Sequence, residues 1–173
     1  MPTLMLLRHA KSSLSGGDVT DRDRPLSSRG RRDAEAMMPS IARDFCPDRI
    51  LCSPARRARE TLAALLPFTG EVSDIMIVED LYDHAGDYVD VIARHGGDVD
   101  RLMVVGHNPS IQATAVALTG TGEEPLRAQL REKLPTCALA VIEFPGTWGG
   151  LEPLSGRLIA FRRPRDLGDD GGD

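Results

Sequence analysis

The stretch "LMLLRHAKSS", residues 4–13, decides the fold class. Its first four residues are apolar without interruption. That is the pattern of a short strand covered on both faces, not of one alternating between core and water. The run stops at Arg8 and His9, and a polar loop follows. Similar strand-like runs recur at residues 49–52, 75–78, 102–105, 137–144 and 158–161. Between them lie helical patterns over 27–44, 54–66, 87–94 and 109–118; in the second, Ala58, Leu62 and Leu65 recur at i, i+4 and i+7. Short apolar strands separated by helices require crossover connections. The sequence therefore predicts an α/β three-layer sandwich, a mostly parallel central sheet with helices on both faces. The last two strands flank "GTWGG" and read as an antiparallel hairpin at the C-terminal edge, whereas "GTGEEP", residues 120–125, reads as a loop opening a short helix. One domain over residues 1–166 is expected, followed by an acidic, glycine-rich tail at 167–173 that reads as disordered.

A chain of 173 residues, 41% hydrophobic and 27% charged, is long and apolar enough for one proper core. Its net charge of -5 argues against nucleic acid or an anionic membrane as a partner held by bulk attraction. Any anion site must then be a local basic cluster. The apolar run at 4–7 is far too short for a signal peptide or a membrane span. Cys46, Cys52 and Cys137 lack metal-ligand spacing and a secreted context, and read as reduced thiols of a cytoplasmic protein. No set of histidines, cysteines and carboxylates has a zinc spacing, so neither a metal nor a cofactor is expected.

Parallel α/β sheets bind ligands beyond the carboxyl ends of their strands. Three of those ends carry cations. The first strand ends in Arg8 and His9. The second runs into "CSPARRARET", where Ser53 fits a helix cap, Pro54 the first helical position, and Arg57 the first turn. The fourth ends in "VVGHNPS", with His107 at the turn, Asn108 as cap and Pro109 at the first helical position. Arg56 and Arg59 read as a solvated helix face, and His84 and His95 have no comparable placement. Two arginines and two histidines at one sheet edge repel each other unless an anion lies among them. Helix N-termini there favour the same charge, and a phosphoryl group suits arginine's paired donors.

These motifs resemble those of a known family. "LLRHAKSS" resembles the Arg-His-Gly signature of the histidine phosphatase superfamily, with Ala10 where glycine is usual; "SPARRARET" resembles its second arginine motif, in a register that selects Arg57; "VVGHNPSI" resembles its second-histidine motif. "DRDRPLSSRGRRDA", residues 21–34, is similar to the segment after the first motif in the small SixA-type phosphohistidine phosphatases, as is the short connection from 81 to 101. The resemblance runs from about Thr3 to Thr119. It implies a phosphoglycerate-mutase-like fold and a metal-independent phosphatase that forms a phosphohistidine intermediate. In that reading His9 is the nucleophile, Arg8 and Arg57 clamp the phosphoryl oxygens, His107 donates to them, and Arg24 is a further substrate-binding residue. In mutase-like relatives a loop glutamate after the third strand protonates the leaving group; "DLYDHAGD" places Asp83 nearest to that position, with Glu79 and Asp80 beside it.

Three functions stay open at this point. The first is removal of phosphate from phosphohistidine on a signalling or phosphotransfer protein. The second is hydrolysis of small phosphate esters such as sugar or nucleotide phosphates, for which Asp83 would be the general acid. The third is a non-catalytic module that binds phosphoproteins. A cysteine-based phosphatase loop is excluded, because Arg57 falls one residue short of the position it requires after Cys52. "DRD" at 21–23 mimics an Asp-x-Asp nucleophile pair, but no apolar strand precedes it.

Overall fold

In the computed structural model, which describes residues 1–14, 18–70, 72, 74–82 and 85–167, seven strands form one sheet in the order β3-β2-β4-β1-β6-β7-β5. The strands are β1 (Thr3–Arg8), β2 (Arg49–Cys52), β3 (Asp74–Ile77), β4 (Arg101–Gly106), β5 (Thr119–Gly122), β6 (Leu139–Glu143) and β7 (Gly156–Arg162). β1 lies at the centre, parallel to β4 and antiparallel to β6, with Leu6 facing Val104 on one side and Ala140 on the other. β2 pairs in parallel with both β3 and β4. The expected terminal hairpin is β6–β7, antiparallel, but the outermost strand is β5, which runs parallel to β7.

Helices α1 (Ser28–Phe45) and α2 (Arg56–Leu65) cover one face of the sheet; α3 (Val89–His95), α4 (Ser110–Leu118) and α5 (Glu124–Glu132) cover the other. Strand periodicity sorts the core. Leu4, Leu6, Leu102, Val104, Ala140 and Ile142 point toward α3–α5, and Met5, Leu7, Met103, Val105, Leu139 and Val141 toward α1 and α2. The central strands are apolar on both faces because both faces are covered. The three-layer reading of the sequence holds.

Two helix starts differ from expectation. Ser53 does not cap α2, which begins at Arg56 with Ala55 before it and no side-chain cap. Nor does Asn108 cap α4; Pro109 precedes its first residue, Ser110, while the Asn108 amide donates to the Leu134 carbonyl at 3.0 Å. Ser27 does cap α1, its hydroxyl accepting from the Gly30 N–H at 3.0 Å and donating to the Lys11 carbonyl at 3.1 Å. A Cβ on Gly30 would meet that same carbonyl at 2.1 Å, so glycine lets α1 press against the loop that follows β1. Leu167, the first residue of the expected tail, packs against the α1 side of the core; residues 168–173 lie outside the described residues. No described helix is long and apolar enough to cross a membrane.

Candidate active site

The carboxyl ends of β1, β2 and β4 meet in one pocket of about 340 Å³, lined by Arg8, His9, Lys11, Arg24, Arg57 and His107 among others. All four residues expected from the strand ends are here, and Arg24 reaches the same wall. His9, Arg57 and His107 are buried, with 7%, 6% and 9% of their surfaces exposed. Asp83 lies outside the described residues. Its neighbours are committed elsewhere: Glu79 accepts two hydrogen bonds from Arg22, at 2.8 and 2.9 Å, and Asp80 one from Arg94 at 2.6 Å. Arg22 also holds the Glu79 carboxyl below its usual range.

Backbone clips fix Arg8 and His9. The Arg8 N–H donates to Ala138, the His9 N–H to Gly106, and the Cys137 N–H to the carbonyls of both Arg8 and His9. The ring follows. His9 Nδ1 lies 2.7 Å from the Ala10 carbonyl oxygen. A carbonyl only accepts, so the proton is on Nδ1 and the lone pair on Nε2. That lone pair accepts from Arg57 Nε–H at 3.3 Å. Thr61, in the middle of α2, ties the two sides together by accepting from the Ala10 N–H at 2.9 Å and donating to the Arg57 carbonyl at 2.7 Å.

His107 sits with its ring centroid 4.9 Å from that of His9. Its Nε2 bonds the Ser53 hydroxyl at 2.7 Å, and its backbone N–H donates to the Tyr88 hydroxyl at 3.1 Å. Ser53 also accepts from the Ala55 N–H at 3.3 Å, so its hydroxyl ties His107 to the turn that precedes α2. Tyr88 lies against Gly106, where a Cβ would meet the phenol ring at 2.7 Å. Burial pushes His9 down to about 3, against the pull of the Ala10 carbonyl and with help from His107, Arg57 and Arg8. Burial likewise takes His107 down to about 4. The arginines are thus the lesser cause of His9's neutrality, and desolvation the greater.

Three buried nitrogens of this pocket, Arg8 Nε, Arg24 Nε and His107 Nδ1, have no partner among the described residues. Buried polar nitrogens are rarely left without a hydrogen-bond partner. Among the described residues one carboxylate reaches the cluster. Asp21 accepts from Tyr82 Oη at 2.9 Å and Arg57 Nη2 at 3.1 Å, pairs with Arg24 at 3.0 Å, and its backbone carbonyl takes Arg57 Nη1 at 2.6 Å. Burial raises the Asp21 carboxyl, but Tyr82 and the two arginines outweigh it and hold it below its usual range. Among the described residues no group of three or more histidines, cysteines or carboxylates is placed to hold a metal ion.

Sequence reasoning assigned no role in the site to Asp21, Thr61 or Tyr88, and gave Ser53 only that of a helix cap. For Asp21 the "DRDR" run was a visible cue; for Ser53 its place at a strand end was another. Arg56 is exposed and paired with Glu60 at 2.7 Å, and Arg59 is exposed, as expected of a solvated helix face. Burial raises the Cys52 and Cys137 thiols to about 12, leaving both inert.

Comparison with known proteins places this geometry. Residues 4–90 match the family described as the histidine phosphatase superfamily (branch 1), a span that holds Arg8, His9, Arg24 and Arg57. The Mycobacterium tuberculosis protein Rv1276c is 38% identical over 170 residues, covering 92% of this chain and all of that one. The structure of a provisionally assigned phosphohistidine phosphatase SixA from Agrobacterium tumefaciens is 33% identical, covering 95% of this chain and 99% of its own, with a TM-score of 0.77. A second of the same provisional assignment, from Nakamurella, is 28% identical, covers 94% and 96%, and has a TM-score of 0.74. With motifs, fold and relatives in agreement, the chain belongs to the histidine phosphatase superfamily, in its SixA-type group, and is a phosphatase.

Proposed function

We propose that the protein hydrolyses phosphohistidine on a signalling or phosphotransfer protein, passing the phosphoryl group through His9. The observation that carries this reading is the His9 ring: Nδ1–H locked on Ala10, the Nε2 lone pair turned toward Arg57, and burial holding it neutral. In-line attack by Nε2 forms a P–N bond as the bond to the leaving group breaks. Arg8, Arg24, Arg57 and His107 surround the equatorial oxygens, where the charge spreads in the transition state. Water then attacks the phosphoryl group on His9, releasing orthophosphate and restoring the free imidazole.

The leaving group supports the substrate class. An alkoxide needs a positioned acid. Of the three carboxylates considered for that task, Glu79 and Asp80 are held by arginines and point to no such role. A phosphoramidate whose ring is protonated departs as neutral imidazole, and needs less help.

Incubation with radiolabelled phosphoramidate tests the intermediate. An acid-labile, alkali-stable label is expected on the wild type and absent from His9→Ala. A label that survives acid would exclude phosphohistidine. A panel of phosphohistidine protein, phosphohistidine peptide, sugar phosphates and nucleotides tests the substrate, and faster turnover of the esters would select the small-molecule reading instead.

A further inference from the structure

The pocket around His9 does not end at its rim. Arg8, Lys11 and Thr136 also wall a neighbouring concavity, completed by Arg29, Lys133 and Pro135. Arg29, Lys133, Pro135 and Thr136 in turn wall a third, which extends to Arg163 and Arg165 in the C-terminal turn. The result is one groove leading away from the nucleophile. Its charge is opposite to that of the molecule, whose net charge is -5. Within it, Arg29 is paired with Asp33 at 3.6 Å and Arg163 with Asp166 at 2.7 Å. Lys11, Lys133 and Arg165 are exposed and have no ion-pair partner among the described residues; Glu132 is the one further carboxylate on the wall.

We propose that this groove docks an acidic stretch of polypeptide flanking the phosphorylated histidine. The inference rests on the phosphohistidine reading and specifies its substrate. The two ends of the groove differ in kind. Around His9 three nitrogens, on Arg8, Arg24 and His107, are buried and without a partner among the described residues, which suits one desolvated phosphoryl group. Along the groove Lys11, Arg29, Lys133 and Arg165 are exposed, at the ends of long side chains, and spread over the loop after β1, α1, the segment after α5 and the C-terminal turn. That arrangement makes no tight second site for a small anion. It suits several carboxylates along an extended chain, attracted through water and steered toward His9.

The test uses two phosphohistidine peptides of equal length, one flanked by Asp and Glu and the other by Ser and Gln, with phosphoramidate as a flank-free probe. The wild type is expected to favour the acidic peptide about tenfold in kcat/KM at low salt, the preference shrinking as salt rises. Lys133→Glu/Arg165→Glu should erase that preference and leave phosphoramidate turnover unchanged. Equal kcat/KM for both peptides in the wild type, or a preference that survives the double substitution, overturns the docking strip. If the double variant loses phosphoramidate turnover, Lys133→Gln and Arg165→Gln singly replace it, each expected to reduce the preference about threefold. Failure of the underlying reading looks different: neither peptide is turned over while phosphate esters are, and the docking strip then falls with it.

Discussion

The two ends of the same strands show opposite treatments of charge. At their amino ends, β2 begins with Arg49 and β4 with Arg101. Arg49 pairs with Asp74 at 2.7 Å and Arg101 with Asp48 at 2.6 Å, so each guanidinium has its own carboxylate. At the carboxyl ends of β1, β2 and β4, Arg8, Arg24 and Arg57 gather with two histidines, and among the described residues one carboxylate, Asp21, pairs there, with Arg24 and Arg57. Among the described residues the Arg8 side chain has only the Leu134 carbonyl, at 3.0 Å. Compensated, partly exposed charge at one end costs little to keep folded. On the proposed reading, uncompensated charge at the other is tolerated because a dianion completes it, and that difference marks the site more sharply than pocket shape does.

The largest break in this comparison comes from Arg57. Arg57→Ala should lower kcat/KM about 10²–10³-fold, the usual loss for one oxyanion-stabilising donor. Arg56→Ala, one residue earlier on the exposed face and paired with Glu60, should stay within about twofold. Equal losses would show that the buried position of Arg57 means nothing for the reaction.

Much of this was legible before any coordinates. Arg8, His9 and His107 each follow an uninterrupted apolar run, and a parallel sheet turns that local pattern into a shared location. Arg24 and the choice of Arg57 over Arg56 needed the family resemblance. What the sequence hid was partnership. Ser53 and Pro54 satisfy the rules for a helix start, yet the Ser53 hydroxyl is taken by His107, a residue 54 positions away. β5, "TGTG", has no apolar alternation and exists because β7 offers it a ladder. Asp21 read only as part of a rejected Asp-x-Asp pair, because nothing local reveals that Tyr82 and Arg57 converge on it.

The next effect is a displaced titration. His9 and His107, lowered by burial from the ordinary 6.5 to about 3 and about 4, should both read as neutral imidazoles at pH 5 by ¹⁵N NMR, His9 as the Nδ1–H tautomer. The sign for stability follows. The unfolded chain takes up protons first, so the contribution of these rings is complete above about pH 6.5 and is lost as pH falls through the window down to about 3. Midpoints near 6.5 for both rings would break the claim that desolvation keeps the nucleophile ready. A smaller effect is expected at Asp21. Asp21→Asn keeps an acceptor for Tyr82 and removes a charge that competes with the phosphoryl group, so orthovanadate should inhibit about two- to fivefold more tightly. Weaker inhibition would mean that Asp21 chiefly holds Arg57 and Arg24 in place.

The smallest effect belongs to the amino ends of the strands. Arg101 and Asp48 form a bidentate pair, reinforced by the Arg101 N–H, but both side chains are a third to a half exposed. Water and salt screen such a pair, and exposed pairs are worth about 0.2–1 kcal/mol. Arg101→Ala should therefore lower Tm by no more than about 4 °C in a domain of this size and leave kcat/KM unaltered. Asp48 is then an unpaired carboxylate at the surface, able to take water in place of the guanidinium, so no buried charge is stranded. A large loss of activity would mean that the two ends of β4 are energetically coupled, and that pairing at the amino end helps hold His107 in register. An unchanged rate with a slightly lower Tm assigns the amino ends to folding and the carboxyl ends to chemistry.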